Sequence, residues 1–379
     1  MAVLDCVPLD TECLTRDCWR SWAAVQVGDE ALGYNPDTGR LEWTPILAKM
    51  VEDAQPIIGM KVGNWRARTT PGHRWWGERR TSVPVDEMLS CPACGATGGK
   101  RGPFGSTRAA QAHLAKVHGI RRAQQPSHQV ECFVQTDSIT KAHRLRVAAL
   151  AGNGVGNDRI TAEEAALLGW VVSDGSINHA ARTVNVWIYQ AKPSYITVID
   201  ALLAGVPHSR YVRDRQPGKH RPSVEWRLSA PYARDLLARS ALLEVTPEAF
   251  VLSLDARQRE RWLEAVWQAE GWTVVSGAGG EVKRLSQNVG PWADAMTLEV
   301  FLCGYRPTRH QAKRYEEHHS RNWIITLGRP WIGGTMIQRQ DLGEQPAWCV
   351  QTALGTWTLR QGGLPMLSGA TFPSGADKT

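Results

Sequence analysis

No stretch of this sequence approaches the ~20 consecutive apolar residues that a membrane-spanning helix needs. The opening "MAVLDCVPLD" has no charged start followed by a hydrophobic core, so no secretory signal is expected. Both absences point to a cytoplasmic setting, where eight cysteines stay reduced and serve as ligands, nucleophiles or core residues. Phenylalanine is scarce beside tryptophan, a bias with no functional account. No short-period repeat is visible. Acids are outnumbered 37 to 44 by Lys and Arg, and the formal charge of +7 favours an anionic partner such as nucleic acid.

At 379 residues, two or three domains are expected. Residues 1–80 hold short apolar runs separated by turn signals, "VGDE" and "NPDTG", with no long helical period. That pattern predicts a β-rich module. "QPSHQVECFVQTDSITKAHRLRVAALA" and the final "DLGEQPAWCV…LSGAT" share its character, whereas "TAEEAALLGW" to about residue 335 mixes helix and strand. "GNGVGND", 152–158, reads as a linker. A β module interrupted by an α/β insert gives this order.

"CPACGATGGKRGPFGSTRAAQAHLAKVHG" sets Cys91-x-x-Cys94 ahead of His113-x4-His118. Two thiolates and two imidazoles complete a tetrahedral Zn2+ set, which makes the metal structural. "STRAAQAHLAKVH" predicts the ligand-bearing helix. Phe104 and Ala110 fall where a two-Cys two-His finger keeps its small core, although the loop before Phe104 is long for its hairpin. Lys100, Arg101, Lys116, Arg121 and Arg122 would let the finger extend a neighbouring domain's footprint on DNA.

"LLGWVVSDGSI" and, much later, "LEAVWQAEGWT" are apolar helices that each end in an acid and a glycine. Gly169 with Ser173, and Ala265 with Ala269, put small residues on one face of each, so the helices can approach closely. Close packing would bring Asp174 and Glu270 side by side. Adjacent carboxylates repel unless they share a proton or bind cations, and hard oxygens suit Mg2+ in phosphodiester hydrolysis. The plainer reading is two helix C-termini followed by glycine.

These segments resemble the LAGLIDADG homing endonucleases, in the monomeric form with two motif copies, over residues 158–335. The resemblance implies an αββαββα repeat, Asp174 and Glu270 as metal-binding catalytic acids, and sheets that bind a long asymmetric double-stranded DNA target. The bases between and after the motifs agree with a DNA surface. They are Arg210, Arg213, Arg215, Lys219, Arg221 and Arg227, then Arg306, Arg309, Lys313, Arg314 and Arg321.

The two ends carry a second resemblance. Cys6, Thr11, Thr15, Asp17, Trp19, Gly28 and Asp29, then "TTPGHRWW" with Thr70 and His73, and the closing "WCVQTALGTWTLRQGGLPMLSGAT", resemble the Hint fold of inteins. Trp75, Cys349 and Thr371 match the Trp, Cys and Thr of class 3 inteins. That resemblance implies autocatalytic protein splicing in a bacterial or phage-infected cell. Cys349 would attack the carbonyl of Asp5 to form a branched thioester, and Thr371 would then take the acyl group. Ala370 stands where a cyclising Asn is usual, and Gly369 where His is usual, so the last step should stall. Cys6, the first nucleophile of ordinary inteins, competes with Cys349 for the opening attack. Cys349 as a core filler and His73 as a satisfied buried histidine remain the plain alternatives.

The expected architecture is therefore multi-domain: an all-β, horseshoe-like Hint domain from both chain ends, a zinc finger insert and an α+β endonuclease. Its boundaries are host remnants 1–5 and 371–379, Hint segments 6–90, 119–157 and 336–370, the finger at 91–118, and the endonuclease at 158–335. A freestanding endonuclease with an inert Hint part, or a non-catalytic zinc-finger DNA-binding protein, would share many of these features.

Overall fold

The computed structural model describes residues 5–82, most of 91–119, and 127–152, 156–180, 183–213, 222–275, 280–312 and 321–370. Thr371, Phe104, Lys100, Arg101, Arg121, Arg122, Arg215, Lys219, Arg221, Lys313 and Arg314 lie outside the described residues. No helix among those described is long and apolar enough to cross a membrane.

The described helices are α1 (Thr107–His118), α2 (Ala162–Asp174), α3 (Pro193–Leu202), α4 (Ala230–Ser240), α5 (Pro247–Ser253), α6 (Ala256–Glu270) and α7 (Pro291–Leu302). Strands from both chain ends interleave. The long strand Arg40–Val62 pairs with Gln338–Thr352, which also pairs with Val7–Pro8. A second sheet orders Leu364–Gly369, Thr356–Gln361, Glu12–Leu14 and Trp19–Ser21. Thr356 Oγ1 accepts from Tyr34 N at 2.6 Å and donates to Tyr34 O at 2.9 Å, joining positions 322 apart.

A third sheet runs Ser127–Gln135, Arg74–Ser82, His143–Arg146 and Trp331–Gly333. Trp331–Gly333 falls inside the span expected for the endonuclease, yet it completes a sheet built by the β module. The antiparallel ribbon Arg74–Ser82/Ser127–Gln135 carries the expected zinc finger at its far end.

Between the module's halves the chain makes two matching α+β units. After α2, the strands Gly175–Ala180, Thr183–Gln190, His208–Arg213 and Ser223–Leu228 form one sheet. After α6, Gly271–Val275, Glu281–Asn288, Arg306–Gln311 and Asn322–Gly328 form another with the same strand order. The first unit, closed by α4, has the expected αββαββα order; the second lacks the last helix, because after Asn322–Gly328 the chain enters Trp331–Gly333 of the β module. The local code repeats too, because Thr161/Glu164 and Asp255/Gln258 form reciprocal capping boxes at the starts of α2 and α6.

The units are not separate beads. One continuous buried cluster joins Leu14, Trp19, Leu32, Tyr34, Leu41 and Leu367 of the β module to residues of α2, α6 and α7. The expected linker is pinned at its start: Ala151 N donates to Leu302 O at 2.8 Å and Gly152 N to Leu41 O at 2.7 Å. A second cluster, with Trp65, Trp75, Trp348 and Trp357, fills the β module itself.

Candidate functional site

Val7 pairs with Trp348 and Pro8 with Ala347. One step further, the same register sets Cys6 opposite Cys349. Both are fully buried and unbridged, in a small cluster with Ile57 and Ala347. The Cys6 thiol hydrogen-bonds to Cys349, and that bond, with burial and nearby negative charge, pushes it far above the ordinary thiol range.

Thr70 holds both backbone groups of Cys6. Its Oγ1 accepts from Cys6 N at 3.1 Å, and its N–H donates to Cys6 O at 3.0 Å. Three residues on, His73 is wholly buried, with Nε2 2.5 Å from Ser368 Oγ. Burial depresses the imidazole to about 3, against the Asp5 backbone, which favours a proton on the ring. Nδ1 has no hydrogen-bond partner at standard distance. Trp75 packs edge-on against His73, ring centroids 5.3 Å apart, and its Nε1 donates to Thr136 Oγ1 at 2.9 Å. Thr136 Oγ1 in turn reaches His73 O at 3.2 Å, so Trp75 fixes both the ring and the backbone of the histidine.

The chain's far end arrives at the same place. Leu364–Gly369 delivers Ser368 to His73, and Ala370 N donates to Gly355 O at 2.9 Å. Arg74 lies between the two ends, donating from Nε to Asp5 Oδ2 at 2.6 Å and from Nη2 to Ala370 O at 2.8 Å. Cys6, Thr70, His73, Trp75, Cys349 and Ala370 are thus brought together. Arg74, Ser368 and Thr136 were missed by sequence reasoning. Arg74 had a signal, its place between His73 and Trp75; an isolated Ser or Thr in a β run had none.

A second site lies where α2 meets α6. A Cβ on Gly169 would come within 2.8 Å of Trp262 O and 2.9 Å of Ala265 Cβ, so the helices touch along the expected small face. Asp174 and Glu270 end these helices. Burial raises Asp174, and burial together with the Asp174 charge raises Glu270 to about 7, while Lys192 opposes both shifts. Gln190 Nε2 donates to Asp174 Oδ2 at 2.9 Å. The glycines that follow are not left-handed caps: Gly175 has φ −126° and Gly271 φ −103°. They are glycine because of space, since a Cβ at 175 would sit 2.5 Å from Trp187 O.

The bases divide by strand face. Arg227 pairs with Ser209 and Trp187 on the open face of the first sheet, where Arg213 pairs with Glu225 at 2.7 Å. Arg210 faces the helices instead, held by Asp200 of α3 at 3.0 Å beside buried Trp226. Arg309 is likewise turned inward, opposite buried Ile325 and bonded to Asp294 of α7 at 2.6 Å. These two positions correct the expectation of one shared DNA-facing set. The open face of the second sheet presents Arg306 and Arg284, the latter not anticipated.

In the third cluster, the ligand atoms of Cys91, Cys94, His113 and His118 all lie within 4.8 Å of one another. Cys94 Sγ is 3.6 Å from His113 Nε2, matching the roughly 3.6 Å between S and N ligands of a tetrahedral zinc ion. His118 Nε2 is buried with no hydrogen-bond partner, as a metal-binding nitrogen would be. The Cys91 thiol is lowered: burial opposes this, and the Ala93 and Cys94 amides and the Cys94 thiol outweigh it. As expected, α1 carries both histidines, and Gly98–Gly99 pairs with Gly102–Pro103 as a short hairpin. These donors fit zinc.

The geometry defines a β body that gathers two chain ends around paired thiols, joined to a two-fold α+β body with paired carboxylates. No protein-family model matches the chain, and no curated protein sequence matches it. Among solved structures, the homing endonuclease I-DmoI in complex with DNA and Mn is similar over 44% of this chain and 89% of its own. That alignment has 15% identity and a TM-score of 0.32. I-WcaI bound to its DNA recognition sequence is similar over 45% and 77%, at 14% identity and TM-score 0.32. A bacterial intein-like domain from Clostridium thermocellum is similar over 21% and 56%, at 19% identity and TM-score 0.18.

Proposed function

We propose that the chain is a self-splicing protein segment carrying a Mg2+-dependent, site-specific DNA endonuclease and a structural zinc module. Residues 1–5 and 371–379 are remnants of the host protein. The carrying observation is the register that sets Cys349 against Cys6, at the peptide bond after Asp5.

In this reading Cys349 Sγ attacks the Asp5 carbonyl carbon. The C–N bond to Cys6 breaks, leaving a thioester on Cys349 and a free amine on Cys6. A histidine depressed to about 3 is neutral at neutral pH, so His73 must gain a proton before giving one. It acts as a shuttle, taking the thiol proton and delivering it to Cys6 N, which Thr70 holds at 3.1 Å. The bond between the two thiols raises Cys6 far above the ordinary range, and in this reading Cys349 is the one that opens the reaction. The Thr371 hydroxyl then attacks the thioester carbonyl and frees the Cys349 thiol. Ala370 has no side-chain amide to cyclise, and the reaction stops there.

In the second site, Asp174 and Glu270 would hold the metal, and Gln190 and Lys192 orient and balance them. When bound, Mg2+ supplies Lewis-acid activation of water and of the scissile phosphate. The open sheet faces, with Arg213, Arg227, Arg284 and Arg306, would meet the duplex.

The test places reporter proteins on both ends and restores Ala370→Asn. Ligated reporters and a released middle segment are expected. Cys349→Ala should abolish thiol-induced cleavage after Asp5, and Cys6→Ala should leave it; the opposite pattern would hand the role to Cys6. Selection from a randomised duplex library should yield one Mg2+-dependent cleavage site, lost in Asp174→Asn. Native mass spectrometry should find one zinc per chain.

A further inference from the structure

We propose that Arg74 is a positioning residue that ties the two splice junctions together and makes an acidic residue at position 5 part of the recognised substrate. This rests on the junction assignment given above. One guanidinium makes both contacts: Nε to the Asp5 carboxylate at 2.6 Å and Nη2 to the Ala370 carbonyl at 2.8 Å. Asp5 and Ala370 are the residues whose carbonyl carbons would react at the first and last junctions. Both are buried, Asp5 at 4% exposure and Ala370 at 0%.

Arg74 is fixed from below. It begins the strand Arg74–Ser82, opposite Gln135, and its guanidinium lies 5.4 Å over the Phe133 ring. Its backbone shapes the second junction as well, because a Cβ on Gly369 would overlap the Arg74 carbonyl oxygen. No side chain fits at 369, so a histidine there could not serve the neighbouring carbonyl. The guanidinium, donating to that oxygen, is placed to polarise the 370–371 peptide bond instead.

The two bonds are coupled by geometry. A planar fork donates in fixed directions, so the Asp5 carboxylate that orients Nε also aims Nη2 at residue 370. Asp5 is an element of the host protein rather than of the splicing segment. Its carboxylate reports to the far junction that the upstream host sequence is in place.

The experiment uses the full chain between reporters with Ala370→Asn restored, and follows cleavage at each junction separately over time. Arg74→Gln and Asp5→Asn should each slow cleavage at 370–371 about tenfold, the scale of a lost charge-assisted hydrogen bond, and slow thiol-induced cleavage after Asp5 much less. Asp5→Glu should restore most of the rate. The double variant should be no slower than the slower single one. A double-mutant cycle of thermal unfolding should show the same non-additivity, independent of any reaction. Unchanged 370–371 cleavage in Arg74→Gln would overturn the proposal alone. So would a fully additive double variant. No cleavage at either junction in the restored parent would overturn it together with the splicing assignment.

Discussion

Glu270 is the residue whose state should be easiest to read from outside. Its carboxyl is raised from 4.5 to about 7, by burial first and then by Asp174. A raised folded-state value means that stability is full below 4.5 and is lost as pH rises through 7. Metal-free protein should therefore melt at progressively lower temperature between pH 5 and 8. Glu270→Gln should reduce that slope, the remainder coming from Glu299 and Asp5, which burial raises to about 7 and about 6. Added Mg2+ should recover the Glu270 share above pH 7. A calorimetric pH series with and without chelator checks this, and an unchanged slope in Glu270→Gln would assign the effect elsewhere. At this scale the sequence was informative where chemistry is dense in a short motif. T-x-x-H-x-W located Thr70, His73 and Trp75, and Cys349 stood out in its strand. Ser368 and Thr136 act only because three strands converge on His73, which no local pattern encodes.

At the scale of elements, α2 packs directly on α6. Gly169→Val would drive a branched side chain into Trp262 O and Ala265, where even a Cβ has 2.8 Å. The expected cost is about 1–3 kcal/mol, with the two acids driven apart and, under the proposed function, DNA cleavage lost. Gly205 has nothing near its Cβ position, so Gly205→Ala serves as the control. Thermal melts and cleavage assays on both variants decide the matter; equal behaviour would show that the helices do not need to touch. The small-residue spacing made this contact readable in advance. The strand faces were readable too, in the parity of the numbering. Arg210 and Arg213 are three apart on one strand and must point to opposite sides. Treating the bases as a cluster hid that rule, whereas Arg213 and Arg227 share the open face.

Across the whole molecule, the hardest feature to foresee was how the two bodies join. Arg360 reaches Glu12 with two nitrogens, at 2.6 and 2.9 Å, and Glu248 of α5 at 2.8 Å, stacking 4.7 Å over Trp19. Its side chain is 18% exposed, so Arg360→Ala leaves two carboxylates short of their partner. A loss of about 2 kcal/mol is expected, with unfolding of both bodies moving together. Hydrogen exchange followed at α5 and at Thr356–Gln361 would test this, and loosening confined to one body would contradict it. Periodicity describes each segment alone and is silent about which segments share an interior. Tyr34 and Thr356 illustrate the limit, for their bonds depend on a return path through most of the chain.

The shared interior has a consequence for the chain's history. Trp19 and Leu367 are roofed by the very helices that a shortened descendant would discard. Removing the α+β body would leave a greasy scar on the β body, so a viable miniature form must repaint that surface with polar residues first. The two bodies are built as one object, and neither can be trimmed away by a single deletion.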